Sequence, residues 1–424
     1  MGGAIAGRLT RIRDGRLRFE YDEAYQAGTE STPLSLSMPL QIRVHDDDHR
    51  APVVTAFLSN LLPDNDAVLA RWSRRFQVPT TPFALLGTPI GEDCAGAVRF
   101  CPEDDLERVL ADPGSMAWLT EADVAARLRN LKQDTTAWLG ADFTGQFSLA
   151  GAQAKTALSL RDGRWALPSG AMATTHILKP AVAGLDDHDL NEHLCLDAAR
   201  RAGLLVARSH LAMFEDQSAV VVERYDRRLA DGQVIRIHQE DLCQALGVMP
   251  ERKYQNEGGP TAGMIAELLR RSMPSQAAEE SVGRFADALI WNWLIAGTDA
   301  HAKNYSLLMS GVQVRLAPLY DIASALPYPI HEKKLRLAMK LGGEYAVHPW
   351  RNFWPAAARE LGLDADCLVG RVRELAAEAP SAFSEAAAVP EIAALDRRLS
   401  SDLVERVADR SGRCARVVGE GGSA

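Results

Sequence analysis

Apolar and polar side chains alternate from Ala4 to Tyr21 on either side of an Asp-Gly pair at 14 and 15, the sequence form of a β-hairpin. Two stretches with helical periodicity follow, "APVVTAFLSNLLPD" (51–64) and "DNDAVLARWSRRF" (64–76), parted by Pro63, with Asp64 or Asn65 placed to cap the second. Together these predict a small α+β unit of about 100 residues. Thr120 and Asp123 in "LTEADVAARLRNL" form a capping-box pattern that starts a further helix. From "QFSLAGAQAKTALSLRDGRWALPSG" (146–170) the pattern predicts strand, small-residue turn, strand, Asp-Gly turn and strand, and "TTHILKP" adds a short strand stopped by Pro180. "DLNEHLCLDAARRAGL" reads as an amphipathic helix and "SAVVVERYDR" as a buried strand. Beyond 238 the pattern is helical almost throughout, interrupted by the hairpin-like "NYSLLMSGVQVRLAPLYD". Strands followed by helices predict an α+β fold with a β-rich lobe, a helical lobe and a cleft between them.

Composition narrows the class. The 424 residues, 47% of them hydrophobic, suffice for a large core in two or three structural units. With 47 Lys and Arg against 56 Asp and Glu, the formal charge of −9 argues against a chain that coats DNA or anionic lipid through its overall field. The six cysteines form no CxxC pair, the N-terminus lacks the order of a signal peptide, and no apolar run approaches 18 residues. The expectation is a soluble protein of the reducing cytoplasm.

Chemistry concentrates in "AGTDAHAKNYS". Asp299 and Asn304 stand five apart, the spacing of the protein-kinase loop in which the acid accepts the substrate hydroxyl proton and the amide binds Mg²⁺. Asp321, seventeen residues after Asn304 and behind a strand-like run, stands where a second metal ligand would. Mg²⁺ takes hard oxygen ligands and keeps several waters, so one carboxylate and one amide oxygen, joined by ATP phosphates, suffice. Upstream, "SLAGAQAK" offers a turn of small residues whose N–H groups could meet phosphate. Lys179 ends the strand "THILK", an expensive place for a charge unless an anion meets it, and Glu192 follows on the next helix. Taken singly, each residue has a plainer reading: Asp299 as a helix cap, Asn304 as a turn residue, Asp321 as a loop residue, Lys179 as a snorkelling strand end.

The stretches "PLSLSMPL", "FLSNLLPD", "DCAGAVRF", "FSLAGAQAKTAL", "HILKP", "NEHLCLDAARRAGL", "VVERYDRR", "HQEDLCQALGV", "KYQNEGGP", "WNWLIAGTDAHAKNYSLL", "LAPLYDIASALPY" and "LRLAMKLGG", in that order, resemble the HipA family, the serine/threonine-kinase toxins of bacterial toxin-antitoxin pairs. The resemblance implies a two-lobed protein-kinase-like fold. An N-terminal subdomain would span 1–105, a β-rich kinase lobe 106–228, an all-helical C-terminal lobe 229–415 and a flexible tail 416–424. It implies Asp299 as catalytic base and Asn304 and Asp321 as Mg²⁺ ligands. The turn Ala150, Gly151, Ala152, Gln153, Ala154 and Lys155 would cover the ATP phosphates, and Lys179 would contact them with Glu192 as its orienting partner. Backbone at Glu223, Arg224 and Tyr225 would form the adenine hinge, while His301, Ala302, Lys303 and Tyr320 would border the nucleotide. Ser148 matches the family's autophosphorylated serine. The implied partner is a small dimeric helix-turn-helix antitoxin through which operator DNA is bound. The implied substrate class is the aminoacyl-tRNA synthetases, glutamyl-tRNA synthetase above all.

Two other readings stay open, a degenerate kinase serving as a co-repressor scaffold and a lipid or small-molecule kinase with a similar D-x-H-x-x-N loop. "HDDDH" (45–49) reads as a solvated loop rather than a metal site, Glu240 and Asp241 as residues at a helix N-terminus, and Asp226 as a structural ion-pair partner. Lys303 has two readings, steadying the transferred phosphate or facing solvent.

Overall fold

The computed structural model describes residues 1–140, 145–182, 184–348 and 353–420. The chain forms two compact units, both discontinuous in sequence: 1–183 with 212–251 and 306–314, and 184–211 with 252–305 and 315–424. The last helix, Arg398–Glu420, runs through most of the expected tail, and 421–424 lie outside the described residues.

In the first unit the predicted hairpin is formed by Gly7–Arg11 and Leu17–Tyr21, paired antiparallel around Gly15, whose φ of 86° suits a residue without Cβ. Val44–Asp46 adds a third strand. Helices Val53–Leu61 and Asp66–Phe76 lie against this sheet, and Asn65 is the cap of the second, accepting from the N–H groups of Ala67 and Val68. Tyr21, Phe57, Trp72, Trp138 and Phe147 fill one core. The main sheet runs Ser115–Trp118, Arg164–Ser169, Thr156–Arg161, His176–Pro180 and Gln217–Glu223, with a sixth strand ending at Phe214. Helix Glu121–Gln133 starts on the predicted Thr120/Asp123 capping box and packs on that sheet.

Several charged segments of this unit differ from their sequence reading. "HDDDH" is not a solvated loop. His45 is buried with Nε2 3.1 Å from the Pro39 carbonyl, and Asp47 caps helix Val53–Leu61 by accepting from the N–H groups of Val54 (2.9 Å) and Thr55 (3.1 Å). Residues 146–149 form no strand. Only a parallel bridge joins Ser148 to Cys94, because Phe147 turns into the core and the chain bends at once into the small-residue turn. Asp241 does cap a helix, Leu242–Ala245, through a capping box with Gln244. Glu240 instead lies buried in strand His238–Asp241, accepting from Ser35 Oγ (2.5 Å) and Leu36 N–H (2.8 Å), and burial pushes its carboxyl up to about 8.

Asp226 belongs to a fully buried ionic cluster. Its Oδ2 accepts from Arg224 and Arg227 (both 2.8 Å) and from Gly96 N–H (2.7 Å). Asp93 accepts from Arg227 (3.0 Å), Arg236 (3.3 Å) and Thr174 Oγ1 (2.6 Å). Burial alone would raise Asp226, but the two guanidiniums overcome it and hold the carboxyl down to about 2.

The second unit is mainly helical: His188–Arg201, Ala262–Ser272, Ser275–Leu294, Trp354–Leu361, Ala365–Ala387 and Arg398–Glu420. Trp291 stacks on Phe383 and Trp293 meets Trp354 edge-on in its core. Helix His188–Arg201 is buried from Asp189 to Leu196 on all sides, not on one stripe, so its polar residues are interior ones. The region also carries a hairpin, Arg336–Leu341 with Glu344–Ala346, turned by Gly342 and Gly343 at positive φ. No helix among the described residues is long and apolar enough to cross a membrane.

Candidate active site

In the second unit, helix Ser275–Leu294 delivers the chain to Asp299. Its end is fixed by Arg410, whose buried guanidinium donates to the carbonyls of Trp293 (2.7 Å) and Leu294 (3.0 Å), the negative end of the helix dipole, and pairs with Glu332. The chain then turns through Ala296 at φ 53° and Gly297, whose added Cβ would fall 2.3 Å from Asn292 Oδ1. Asp299 stands out of this turn with its side chain 70% exposed. His301, Ala302, Lys303 and Asn304 are all buried behind it. Lys303 is thus no solvent-facing loop residue.

The amide of Asn304 donates through Nδ2 to the Asp299 carbonyl (2.7 Å), which leaves Oδ1 as the acceptor of that side chain. His301 lies with Nε2 4.0 Å from Asp299 Oδ1. The segment carrying Tyr320 and Asp321 is braced to the same loop. Tyr320 donates its hydroxyl to the Lys303 carbonyl (2.7 Å), Ser324 Oγ donates to Ile295 O (2.6 Å), and Ala325 N–H donates to Ala296 O (3.1 Å). Asn191 adds a reciprocal pair with Ser324, Nδ2 to its carbonyl at 2.8 Å and Oδ1 from its N–H at 3.0 Å, one residue before the buried Glu192. Asp321 adopts φ 56°, a left-handed conformation uncommon outside glycine that marks a constrained position.

One residue of this site is absent from the sequence reading. Tyr254 donates its hydroxyl to Asp299 Oδ1 and meets the His301 ring edge-on at 4.8 Å, while Lys253 O accepts from Ala302 N–H. "KYQNEGGP" carries it, yet no periodicity or spacing singles it out 45 residues upstream.

The first unit holds the remaining candidates. Gly151 has φ 101°, and its carbonyl accepts from Asp64 N–H (3.0 Å), so the turn 150–155 is tied to the N-terminal α+β region. Lys155 folds back over the turn, donating to Ala150 O (2.6 Å) above the Trp138 ring. Gln153 reaches Pro180 O (3.4 Å), bringing the turn beside the end of strand His176–Pro180, where Lys179 is buried. Ser148 is fully buried and donates Oγ to Leu61 O (2.9 Å). Arg224 N–H donates to Thr175 O and its guanidinium belongs to the ionic cluster, whereas Glu223 is exposed. Among the described residues no group of three or more His, Cys, Asp or Glu could hold a metal.

Residues 1–101 match the HipA N-terminal domain and residues 147–383 the HipA-like C-terminal domain. The fold is the kinase-like one of the Shewanella oneidensis MR-1 HipA protein, solved with HipB and its operator DNA. The match has a TM-score of 0.82, 25% identity, and covers 99% of this chain and 97% of that one. The serine/threonine-protein kinase toxin HipA of Shewanella oneidensis is 29% identical over 402 residues, 91% of this chain and 88% of the relative. Y4mE of Sinorhizobium fredii, provisionally designated a kinase, is 38% identical over 376 residues, 88% of this chain and 87% of the relative. The chain belongs to the HipA family.

Proposed function

We propose that this chain is an ATP- and Mg²⁺-dependent serine/threonine protein kinase acting as the cytoplasmic toxin of a type II toxin-antitoxin pair. The observation that carries the proposal is the braced pair of segments holding Asp299, Asn304 and Asp321. Asp299 accepts the proton of an acceptor hydroxyl as its oxygen attacks the γ-phosphorus of ATP; the bond to the bridging oxygen breaks and ADP leaves. Exposure suits Asp299 for meeting a protein side chain. Asn304 Oδ1 and the Asp321 carboxylate are hard oxygen donors that fit Mg²⁺, and His301, Ala302, Lys303 and Tyr320 border the nucleotide. When bound, the ion neutralises charge developing on the phosphates.

In this reading the turn Ala150–Lys155 and Lys179 face the ATP phosphates, Glu192 orients Lys179, and the adenine edge meets the backbone at Glu223 and Tyr225. Arg224 contributes by anchoring that backbone, since its own N–H serves Thr175. Ser148 is the autophosphorylation site. A phosphate there adds about −1.5 to −2 charges and displaces the hydroxyl from Leu61 O, which releases the turn and makes the kinase self-limiting. A HipB-like helix-turn-helix antitoxin and operator DNA reached through it are the partners, supported by the likeness to the HipA of that complex. The family resemblance points to an aminoacyl-tRNA synthetase such as glutamyl-tRNA synthetase as acceptor.

The test is intact mass of the purified chain after incubation with Mg-ATP. One added phosphate on Ser148, absent in Asp299→Asn, is expected. No phosphate, together with unimpaired growth on expression, overturns the proposal.

A further inference from the structure

Within the second unit a cavity of about 750 Å³ opens beside the hairpin Arg336–Leu341 and Glu344–Ala346, lined among others by Lys333, Arg336, Lys340, Glu344, Tyr345 and His348. Its charge is lopsided. Two lysines, an arginine and a histidine share its lining with one carboxylate. Arg336 and Lys340 stand on one strand, and both line the cavity. Lys333 comes from the turn just before it.

The acid nearest in sequence does not neutralise them. Glu332 is engaged by Arg410 and by Arg413 (2.6 Å), both from the last helix. The Arg336 guanidinium donates to two backbone carbonyls, Lys333 O (2.8 Å) and Leu335 O (2.9 Å), which hold its position without cancelling its charge. Lys340 lies over the Tyr345 ring at 5.1 Å, a contact that orients an ammonium while leaving it cationic. In a chain of net charge −9 this is a local reversal of sign.

The cavity's strand is tied to the candidate catalytic acid. Lys340 N–H donates to Gln255 Oε1 (2.7 Å), and the neighbouring Tyr254 donates to Asp299. An anion held by Lys333, Arg336 and Lys340 therefore belongs to a molecule already docked on the framework that carries Asp299.

We propose that this basic cavity docks an acidic segment of the protein that receives the phosphate. The word "receives" rests on the kinase reading; the binding itself does not. A carboxylate-bearing peptide fits better than a nucleic-acid strand. A strand's repeating phosphates call for an extended basic stripe, whereas here the cations converge on one concave site with Glu344 and an aromatic ring in its wall.

Fluorescence anisotropy of a fluorescein-labelled hexaglutamate peptide with the full chain tests this. Saturable, salt-sensitive binding is expected, weakened about tenfold in Lys333→Gln/Lys340→Gln, as two lost ion pairs imply. Glu344→Gln is expected to strengthen binding, and Lys334→Gln, an exposed neighbour outside the lining, to leave it within about twofold. Gain on removing Glu344 is an outcome that misfolding cannot produce. Absence of peptide binding overturns the proposal, as does equal binding by wild type and the double variant. Tighter binding of labelled oligothymidylate than of peptide, lost in the double variant, overturns it in favour of nucleic acid. Full displacement of the peptide by millimolar inorganic phosphate overturns it in favour of a small-anion site. Peptide binding without phosphate on Ser148 and with unimpaired growth supports the cavity and sinks the kinase reading; phosphate on Ser148 without peptide binding does the reverse.

Discussion

Two clusters of charge in this chain teach opposite lessons. In the first unit, Asp93 and Asp226 are buried with Arg224, Arg227 and Arg236, and every carboxylate oxygen meets a guanidinium, hydroxyl or N–H donor. In the second, Asp299 is exposed, held on one oxygen by Tyr254 and surrounded by buried neighbours that fix its loop. The buried cluster is rich in charge yet has nothing left to offer a substrate. The exposed acid is a single charge at the surface, carried on a loop that hydrogen bonds brace. Accessibility on a braced backbone, not density of charge, separates a candidate for reaction from a group that holds a fold.

The sharpest way to break this contrast is Asp299→Asn. Phosphotransfer is expected to fall by about 10²–10⁴-fold, with the urea midpoint nearly unchanged. A stability loss as large as the rate loss would make Asp299 another structural acid. Asp226→Ala should do the opposite, destabilising by about 3–5 kcal/mol because Arg224 and Arg227 remain buried without their shared carboxylate. A urea midpoint unmoved by this change would show the cluster to be dispensable.

Glu240 provides a third case, a buried acid without a cation in its hydrogen bonds. Its carboxyl is raised in the folded state, so the folded chain binds more protons than the unfolded one between about 4.5 and about 8. Its contribution is fully present below that window and is lost as pH rises through it. Glu240→Gln, which mimics the protonated form, should flatten the fall by a few kcal/mol. Identical pH slopes for the two proteins in chemical denaturation would refute this.

The smallest expected effect is at Tyr254. Tyr254→Phe removes a hydrogen bond to an exposed carboxylate, so the rate should drop about threefold to tenfold and the acid limb of its pH profile should move to higher pH. The KM for ATP should stay as it is. An unmoved limb would reduce Tyr254 to packing against His301.

What was legible in the sequence follows from how local each signal is. Asp299, Asn304 and Asp321 lie within 23 residues and announce themselves by spacing, and Asn65 and Thr120 by capping chemistry. Tyr254 is brought to Asp299 only by tertiary folding, and nothing in "KYQNEGGP" is periodic. Asp47 looked solvated amid charged neighbours because its helix partners, Val54 and Thr55, lie seven and eight residues on. The hairpin at 336–346 hides in "LRLAMKLGGEYAV", where the buried run Leu337–Met339 breaks strict alternation and Ala, Met and Lys favour helix. Lys303 shows the converse limit. A lysine among polar residues reads as exposed until its neighbours enclose it.

Arg410 has a consequence in time. The carbonyls it caps, at Trp293 and Leu294, leave the ribosome 116 residues before it does. At about 5–20 residues per second, the helix that presents Asp299 waits roughly 6–23 s for its terminal clamp. A chain synthesised only as far as residue 409 therefore carries the candidate catalytic segment without the clamp that fixes the end of its helix.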